Sequence, residues 1–244
     1  MRYGIKMYRS NKRLVHDLEE LQSEEFRSNG IYYWFDDSNI MKGRAMIIGP
    51  EGTPYEACPL IFDILLPPDY PLRNPSVLIA TSDGLTRLHP NLYVTGKVCL
   101  SILGTWKGPG WSPILSLGKV LLSIQSLLDA NPITNEPGYE LMRADDPVAR
   151  GYAAIVSNRI IQMTYPALMN LDHACPTAWT EFKDVIGTLR EGLLERLKTK
   201  IMLQGGDMMY RGIPYGMSGE TRWAALKELC SGTCVDEPPP LGEA

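Results

Sequence analysis

The chemistry in this sequence gathers around one thiol. Cys99 stands between apolar Val98 and Leu100, in the run His89-Pro90-Asn91-Leu92-Tyr93-Val94-Thr95-Gly96-Lys97-Val98-Cys99. A thiol at neutral pH is mostly protonated, yet it is among the best nucleophiles a protein carries. Acyl exchange at such a group needs access, a donor for the oxyanion of the tetrahedral intermediate, and a path for the incoming nucleophile. Asn91 offers an amide N–H of the kind used for that oxyanion, where one donor contributes about 3 kcal/mol. His89 is the only histidine close enough in sequence for a Cys–His pair, since His16 and His173 lie far off. Taken singly, each has a plainer reading: a lone cysteine is usually a small apolar side chain, and an asparagine in a proline loop usually a turn residue.

The full string, with Trp111-Ser112-Pro113 following, resembles the active-site segment of the ubiquitin-conjugating enzymes. That resemblance implies that Cys99 receives ubiquitin, or a ubiquitin-like modifier, as a thioester from an activating enzyme. The modifier then passes to a substrate lysine or to a ligase of RING or HECT type. It implies Asn91 as oxyanion stabiliser or loop brace, and His89 as support of that loop. No bound metal or cofactor is implied, because ATP is consumed by the upstream activating enzyme. The stretch Gly104-Thr105-Trp106…Trp111-Ser112-Pro113 is longer than in compact members. Its wording is similar to large members, among them the enzyme dedicated to the second ubiquitin-activating enzyme and a giant apoptosis-inhibitor conjugating enzyme/ligase hybrid.

The same resemblance marks two surfaces and a gate. Leu72, after Tyr70-Pro71, stands where many relatives carry Phe, and with Pro113 and Ile114 it implies a ligase-binding surface. Lys12 and Arg13 match positions that help dock the activating enzyme, although two charges on a helix are also an ordinary solvated face. The stretch Asp129-Ala130-Asn131-Pro132-Ile133-Thr134-Asn135-Glu136-Pro137 closes the site, where compact relatives place a group that helps orient and deprotonate the attacking lysine. Its wording differs here, and Thr134, Asn135 and Glu136 all remain candidates.

The elements that position these residues read as an α+β domain. Leu14, Leu18 and Leu21 recur at helical spacing and predict one helix over 10–28. Four strands follow over 31–35, 44–48, 60–66 and 76–80, rich in β-branched and aromatic residues and broken by Gly, Pro, Asn and Asp. Short connections make them an antiparallel meander. Ser112-Pro113 predicts the capped start of a central helix, with Leu117, Val120, Leu121, Ile124, Leu127 and Leu128 as its buried stripe. Ser116, Lys119 and Ser123 are candidates for the face along which the family lays donor ubiquitin. Further helices are expected over 146–170, 180–204 and 220–230. The expected organisation is a catalytic core over 10–170, a helical C-terminal extension over 175–235 acting as a buttress or as a selectivity surface, and a loose tail over 236–244. Residues 1–9 are expected to be a loosely held extension.

Composition narrows the class. With 244 residues and a net charge of −4, a sizeable core is possible and a nucleic-acid-binding surface is not indicated. No apolar run approaches a membrane span, and the start lacks a signal peptide's apolar core. The odd count of five cysteines, scattered over the chain, fits a reducing compartment, cytoplasm or nucleus, better than a disulfide framework. Cys230 and Cys234 lack two further ligands for zinc. A monomer is expected. Two other classes compete: a non-catalytic scaffold of the same fold that binds modifier or ligase, and a cysteine hydrolase, which would need a base matched to Cys99.

Overall fold

The structure is a computed structural model, and it describes residues 12–232. Two helices, α1 (Lys12–Glu20) and α2 (Glu24–Ser28), precede strands β1 (Ile31–Asp36), β2 (Asn39–Ile48), β3 (Pro59–Leu65) and β4 (Ser76–Ile79). A long loop region carries Cys99 and leads to α3 (Leu117–Leu127), α4 (Pro147–Met169) and the short α5 (Leu171–Ala174). The chain ends with α6 (Lys183–Leu203), a minimal hairpin of β5 (Met209–Tyr210) and β6 (Gly219–Glu220), and α7 (Trp223–Ser231). No described helix is long and apolar enough to cross a membrane.

The four strands form one antiparallel sheet in chain order. Cross-strand partners share a face, so the row Tyr33, Ala45, Phe62 and Ile79 lies on one side, and every member is buried. The apolar stripe of α3 joins the same core, through Leu117, Val120, Leu121 and Ile124. The opposite row, Tyr32, Met46 and Ile61, behaves unexpectedly for an outer face. Met46 and Ile61 are fully buried. Next to them Arg44 donates to the Thr177 carbonyl at 3.3 Å and to Glu181 at 2.8 Å, and also pairs with Asp63. The turn Thr177–Phe182, with Trp179 and Phe182 buried, therefore covers this part of the face, while Leu65, one row further on, and Leu78, on the edge strand beside Asp63, stay exposed.

The C-terminal elements bind the rest of the fold at three further points. The ammonium of Lys200 on α6 donates to the Thr53 and Pro54 carbonyls at 2.8 and 3.0 Å. Burial lowers its pKa, so these carbonyls hold the charge in place of water. Arg196 pairs with Glu56 at 3.2 Å. At Gly151 on α4, an added Cβ would meet Ile213 at 2.7 Å and Tyr210 at 2.9 Å. Glycine here lets the segment between β5 and β6 lie directly on the helix backbone.

Several expectations need correction. The single N-terminal helix is two, separated by Leu21-Gln22-Ser23, because Leu21 and Ser23 end and restart the hydrogen-bond ladder around a turn. Ser112-Pro113 does not cap α3. The cap is Ser116, whose hydroxyl accepts from the Lys119 amide at 3.2 Å, and residues 112–115 form a turn ahead of the helix. Ser116 is consequently buried and unavailable to a partner, while Lys119 is exposed and Ser123 bonds back to the Lys119 carbonyl. β2 begins five residues early, at Asn39, by pairing with Asp36 across a tight turn. The last helix starts at Trp223, not at 220, because Gly219-Glu220 forms β6. Residues 1–9, the start of the first helix at 10, Cys234 and the tail over 236–244 lie outside the described residues.

Candidate active site

Cys99 follows a narrow hairpin. Leu92 bridges Val98, the Tyr93 amide donates to the Lys97 carbonyl at 2.9 Å, and Gly96 makes the turn at φ +88°. A side chain with Cβ is strained in that left-handed region, which accounts for glycine. Asn91 then holds Cys99 from both sides. Its carbonyl accepts from the Cys99 amide at 2.8 Å, and its side-chain NH2 donates to the Cys99 carbonyl at 2.7 Å. The NH2 carries a second hydrogen, so bracing the loop and donating to an oxyanion are compatible. The Asn91 Oδ1 is buried with no partner among the described residues.

Thr105 clamps the same residue from the other side. Its hydroxyl donates to the Val98 carbonyl at 2.7 Å and accepts from the Leu100 amide at 2.9 Å. Sequence reading placed Thr105 in the stretch that is longer than in compact members and missed this. The three glycines and proline around it obscured a hydroxyl set to turn back. One expectation meets resistance: Cys99 is only 2 % exposed.

His89 is wholly buried, and its Nδ1 accepts from the Asn91 amide at 2.9 Å. Burial drives its pKa down to about 3, with positive Arg87 adding to the effect and the Leu127 carbonyl only partly offsetting it. A neutral ring whose acceptor nitrogen is already engaged is no general base, which removes the premise of a cysteine hydrolase. It also gives stability a pH dependence. The unfolded chain binds a proton at His89 below about pH 6.5 and the folded one does not, so stability falls as pH drops from there towards 3. We expect a slope of about 1.4 kcal/mol per pH unit from this residue over much of that window. Urea titrations of His89→Gln beside the parent check it; parallel pH profiles would refute the assignment.

The remaining sites fall in two groups. Trp111 donates to the Pro71 carbonyl at 2.7 Å and its ring lies 6.0 Å from that of Tyr70, joining the proline loop to the turn before α3. This brings Leu72, 69 % exposed, onto the same joined pair of loops as Pro113 and the 82 % exposed Ile114. Arg13, expected with Lys12 to help dock the activating enzyme, stays partly exposed while it pairs with Asp17 at 2.7 Å and donates to the Ile114 carbonyl at 3.1 Å. Lys12 is exposed. Asp17 escaped sequence reading as one more charge on an amphipathic helix. It is buried, and its carboxylate accepts from Arg13, the Tyr70 hydroxyl and the Leu117 amide at 3.3 Å. Because Leu72 and Ile114 are exposed, Leu72→Ala and Ile114→Ala should each shift stability by less than about 0.5 kcal/mol. A calorimetric scan showing a clear loss for either would mean the side chain is packed in solution.

The gate candidates separate by their bonds. Thr134 donates to the Asn131 carbonyl at 2.8 Å, and Asn135 donates to Asp129 at 3.0 Å and to the Pro132 carbonyl at 3.2 Å. Both serve the local 3-10 turn over Pro132–Asn135. Glu136 instead accepts from a distant residue, the Tyr215 hydroxyl, at 2.6 Å.

Over much of its length the chain is similar to known proteins. The sequence profile described as "Ubiquitin-conjugating enzyme" matches residues 13–146, more than half of the chain. The chain is 42% identical over 150 residues to ubiquitin-conjugating enzyme E2 Z of Xenopus tropicalis, covering 61% of this chain and 48% of that one. It is 37% identical over 187 residues to E2 Z of Homo sapiens, covering 73% and 51%. Over 122 residues it is 43% identical to the human dual E2 ubiquitin-conjugating enzyme/E3 ubiquitin-protein ligase BIRC6, covering 48% of this chain and 2% of that one. The chain thus spans about half the length of the E2 Z relatives. A solved E2 domain of a Toxoplasma gondii ubiquitin conjugating enzyme aligns with a TM-score of 0.47 at 31% identity, covering 62% of this chain and 97% of that one.

Proposed function

The chain belongs to the ubiquitin-conjugating enzyme family, and from that premise we propose that Cys99 carries a ubiquitin-type modifier between an activating enzyme and an acceptor. The thiolate of Cys99 attacks the carbonyl carbon of the modifier's C-terminal glycine. The tetrahedral intermediate collapses with expulsion of the activating enzyme's thiolate. In the second transfer a lysine amine, or a ligase thiol, attacks the new thioester and expels Cys99, and the attacking group gives up its proton. The reaction calls for no bound metal or cofactor.

The observation that carries this reading is the paired bonding of Asn91 to the backbone of Cys99. A thiol loop fixed on both flanks keeps its sulfur in one place while two large proteins approach in turn, and positioning of this kind supplies much of an acyl transfer's rate. Neutral His89 behind Asn91 fixes that loop and takes no proton. Leu72, Pro113 and Ile114 present an apolar knob to a ligase groove, and Lys12 offers the charge for the activating enzyme. Glu136 is the gate residue we assign to the incoming lysine, Thr134 and Asn135 being spent on the turn. The cytoplasm or nucleus is the compartment we assign.

A charging assay tests the reading. The chain is incubated with ATP, modifier and each known ubiquitin-activating enzyme in turn, then run on gels with and without reductant. The expected result is a reductant-sensitive band heavier by one modifier, with one or both activating enzymes. No band with either would favour the scaffold reading.

A further inference from the structure

Between β5 and β6 the chain places Tyr215 in the left-handed region, at φ +67° and ψ +21°. That region suits glycine and penalises an aromatic residue, so neighbouring contacts must hold it there. Its hydroxyl donates to Glu136 at 2.6 Å, across 79 residues of sequence. Its ring lies 4.6 Å from the guanidinium carbon of Arg87, which also sits 3.4 Å from the ring of Tyr93. Such cation–π contacts draw the three side chains together.

Arg87 leads straight to the thiol. It donates to the His89 carbonyl at 3.3 Å and to the Pro90 carbonyl, the two residues ahead of Asn91. Tyr93, on its other contact, opens the hairpin that ends at Cys99. Behind them the Tyr152 hydroxyl donates to the Arg87 carbonyl at 2.8 Å, and the Tyr152 ring meets that of Tyr215 edge-on at 6.1 Å. One residue from the far end of the chain therefore touches both the support of the thiol loop and the gate. We propose that Tyr215 is a positioning residue of the Cys99 site, acting on the thiol hairpin through Arg87 and on the gate segment through Glu136.

The inference rests on the conjugating reading for its second arm only, and the two arms are measured separately. The first follows alkylation of Cys99 by iodoacetamide, resolved by peptide mass spectrometry on the full chain, and needs no activating enzyme. Loss of the ring in Tyr215→Ala should loosen the hairpin and speed alkylation about fivefold, the factor that one lost cation–π contact corresponds to. Tyr215→Phe keeps the ring and should return the rate to that of the parent. The second arm follows discharge of the Cys99 thioester onto free lysine. Here Tyr215→Phe should slow the reaction about fivefold, and the double variant Tyr215→Phe/Glu136→Ala should be no slower than Glu136→Ala alone, because the Tyr215 hydroxyl acts on the gate only through that carboxylate. Parent-like alkylation in Tyr215→Ala overturns the hairpin arm. Parent-like discharge in Tyr215→Phe, or additive losses in the double variant, overturns the gate arm. If the parent forms no thioester, the conjugating reading fails while alkylation still decides the role of Tyr215.

Discussion

Cys99→Ser should turn the reductant-sensitive adduct into one that survives thiol, and Cys99→Ala should abolish it. A serine hydroxyl in the same place can still be acylated, but His89 cannot activate it, being neutral, buried and bonded to Asn91. Without activation a hydroxyl is a poor nucleophile, so charging of the serine variant should be slower by on the order of 10³-fold or more. The ester it forms has a worse leaving group than a thioester and should accumulate. The measurement is a charging time course on gels with and without reductant. Persistence of a reducible band in Cys99→Ala would move the nucleophile to another cysteine. Among the described residues those are Cys58, Cys175 and Cys230. Cys58 is the weakest rival, because complete burial pushes its thiol up to about 11, and it offers no path to a protein partner.

Asp17→Ala should cost about 3 kcal/mol of stability, the largest loss we expect from a single surface-helix position. The carboxylate is 1 % exposed and serves three donors from three segments: Arg13 on α1, the Tyr70 hydroxyl in the proline loop, and the Leu117 amide at the start of α3. Truncation removes the acceptor that the buried Tyr70 hydroxyl and Leu117 amide share, and each such loss costs about 1–3 kcal/mol. The partly exposed Arg13 can turn to water, so its share is small. Asp17→Asn, which keeps an acceptor oxygen but not the charge, should lose roughly half as much. Urea unfolding at a fixed slope measures both; a loss below 1 kcal/mol for the alanine variant would mean that the network is dispensable. The alanine variant should also weaken ligase-dependent discharge, because Leu72 and Ile114 are held on loops that meet at this carboxylate and at Trp111.

The distinction between Asp17 and its neighbours also marks where sequence reading stops. Apolar periodicity places Leu14, Leu18 and Leu21 correctly, because burying a stripe is a local property of the helix. It says nothing of a carboxylate on the flank of that stripe, whose burial depends on a tyrosine and an amide arriving from elsewhere. The strands were legible for the same reason, and the meander followed from their short connections. The start of α3 was misread because Ser112-Pro113 carries the chemistry of a helix start, while Ser116 four residues later carries it equally well and wins through packing of Leu117. At the site, the wording around Cys99 pointed to Asn91 and His89. Thr105, Arg87 and Tyr215 were invisible, since each matters through a partner brought in by the fold: Thr105 by a loop turning back, Tyr215 by the close approach at Gly151. The helical C-terminal extension is present as expected, and only β5 and β6 went unseen within it, two-residue strands too short to leave a periodic trace.

The burial of Met46 and Ile61 on the outer side of the sheet makes this a three-layer arrangement, helix on sheet on helical turn, where the sheet's inner side alone is covered by α3. The stretch a family profile recognises, 13–146, stops before the third layer begins at Thr177. What the family profile spans and what closes the sheet to water are thus different lengths of chain. An expression fragment trimmed to 13–146 would carry a wet methionine and isoleucine in the middle of a β-surface, the kind of patch through which sheets stick to one another.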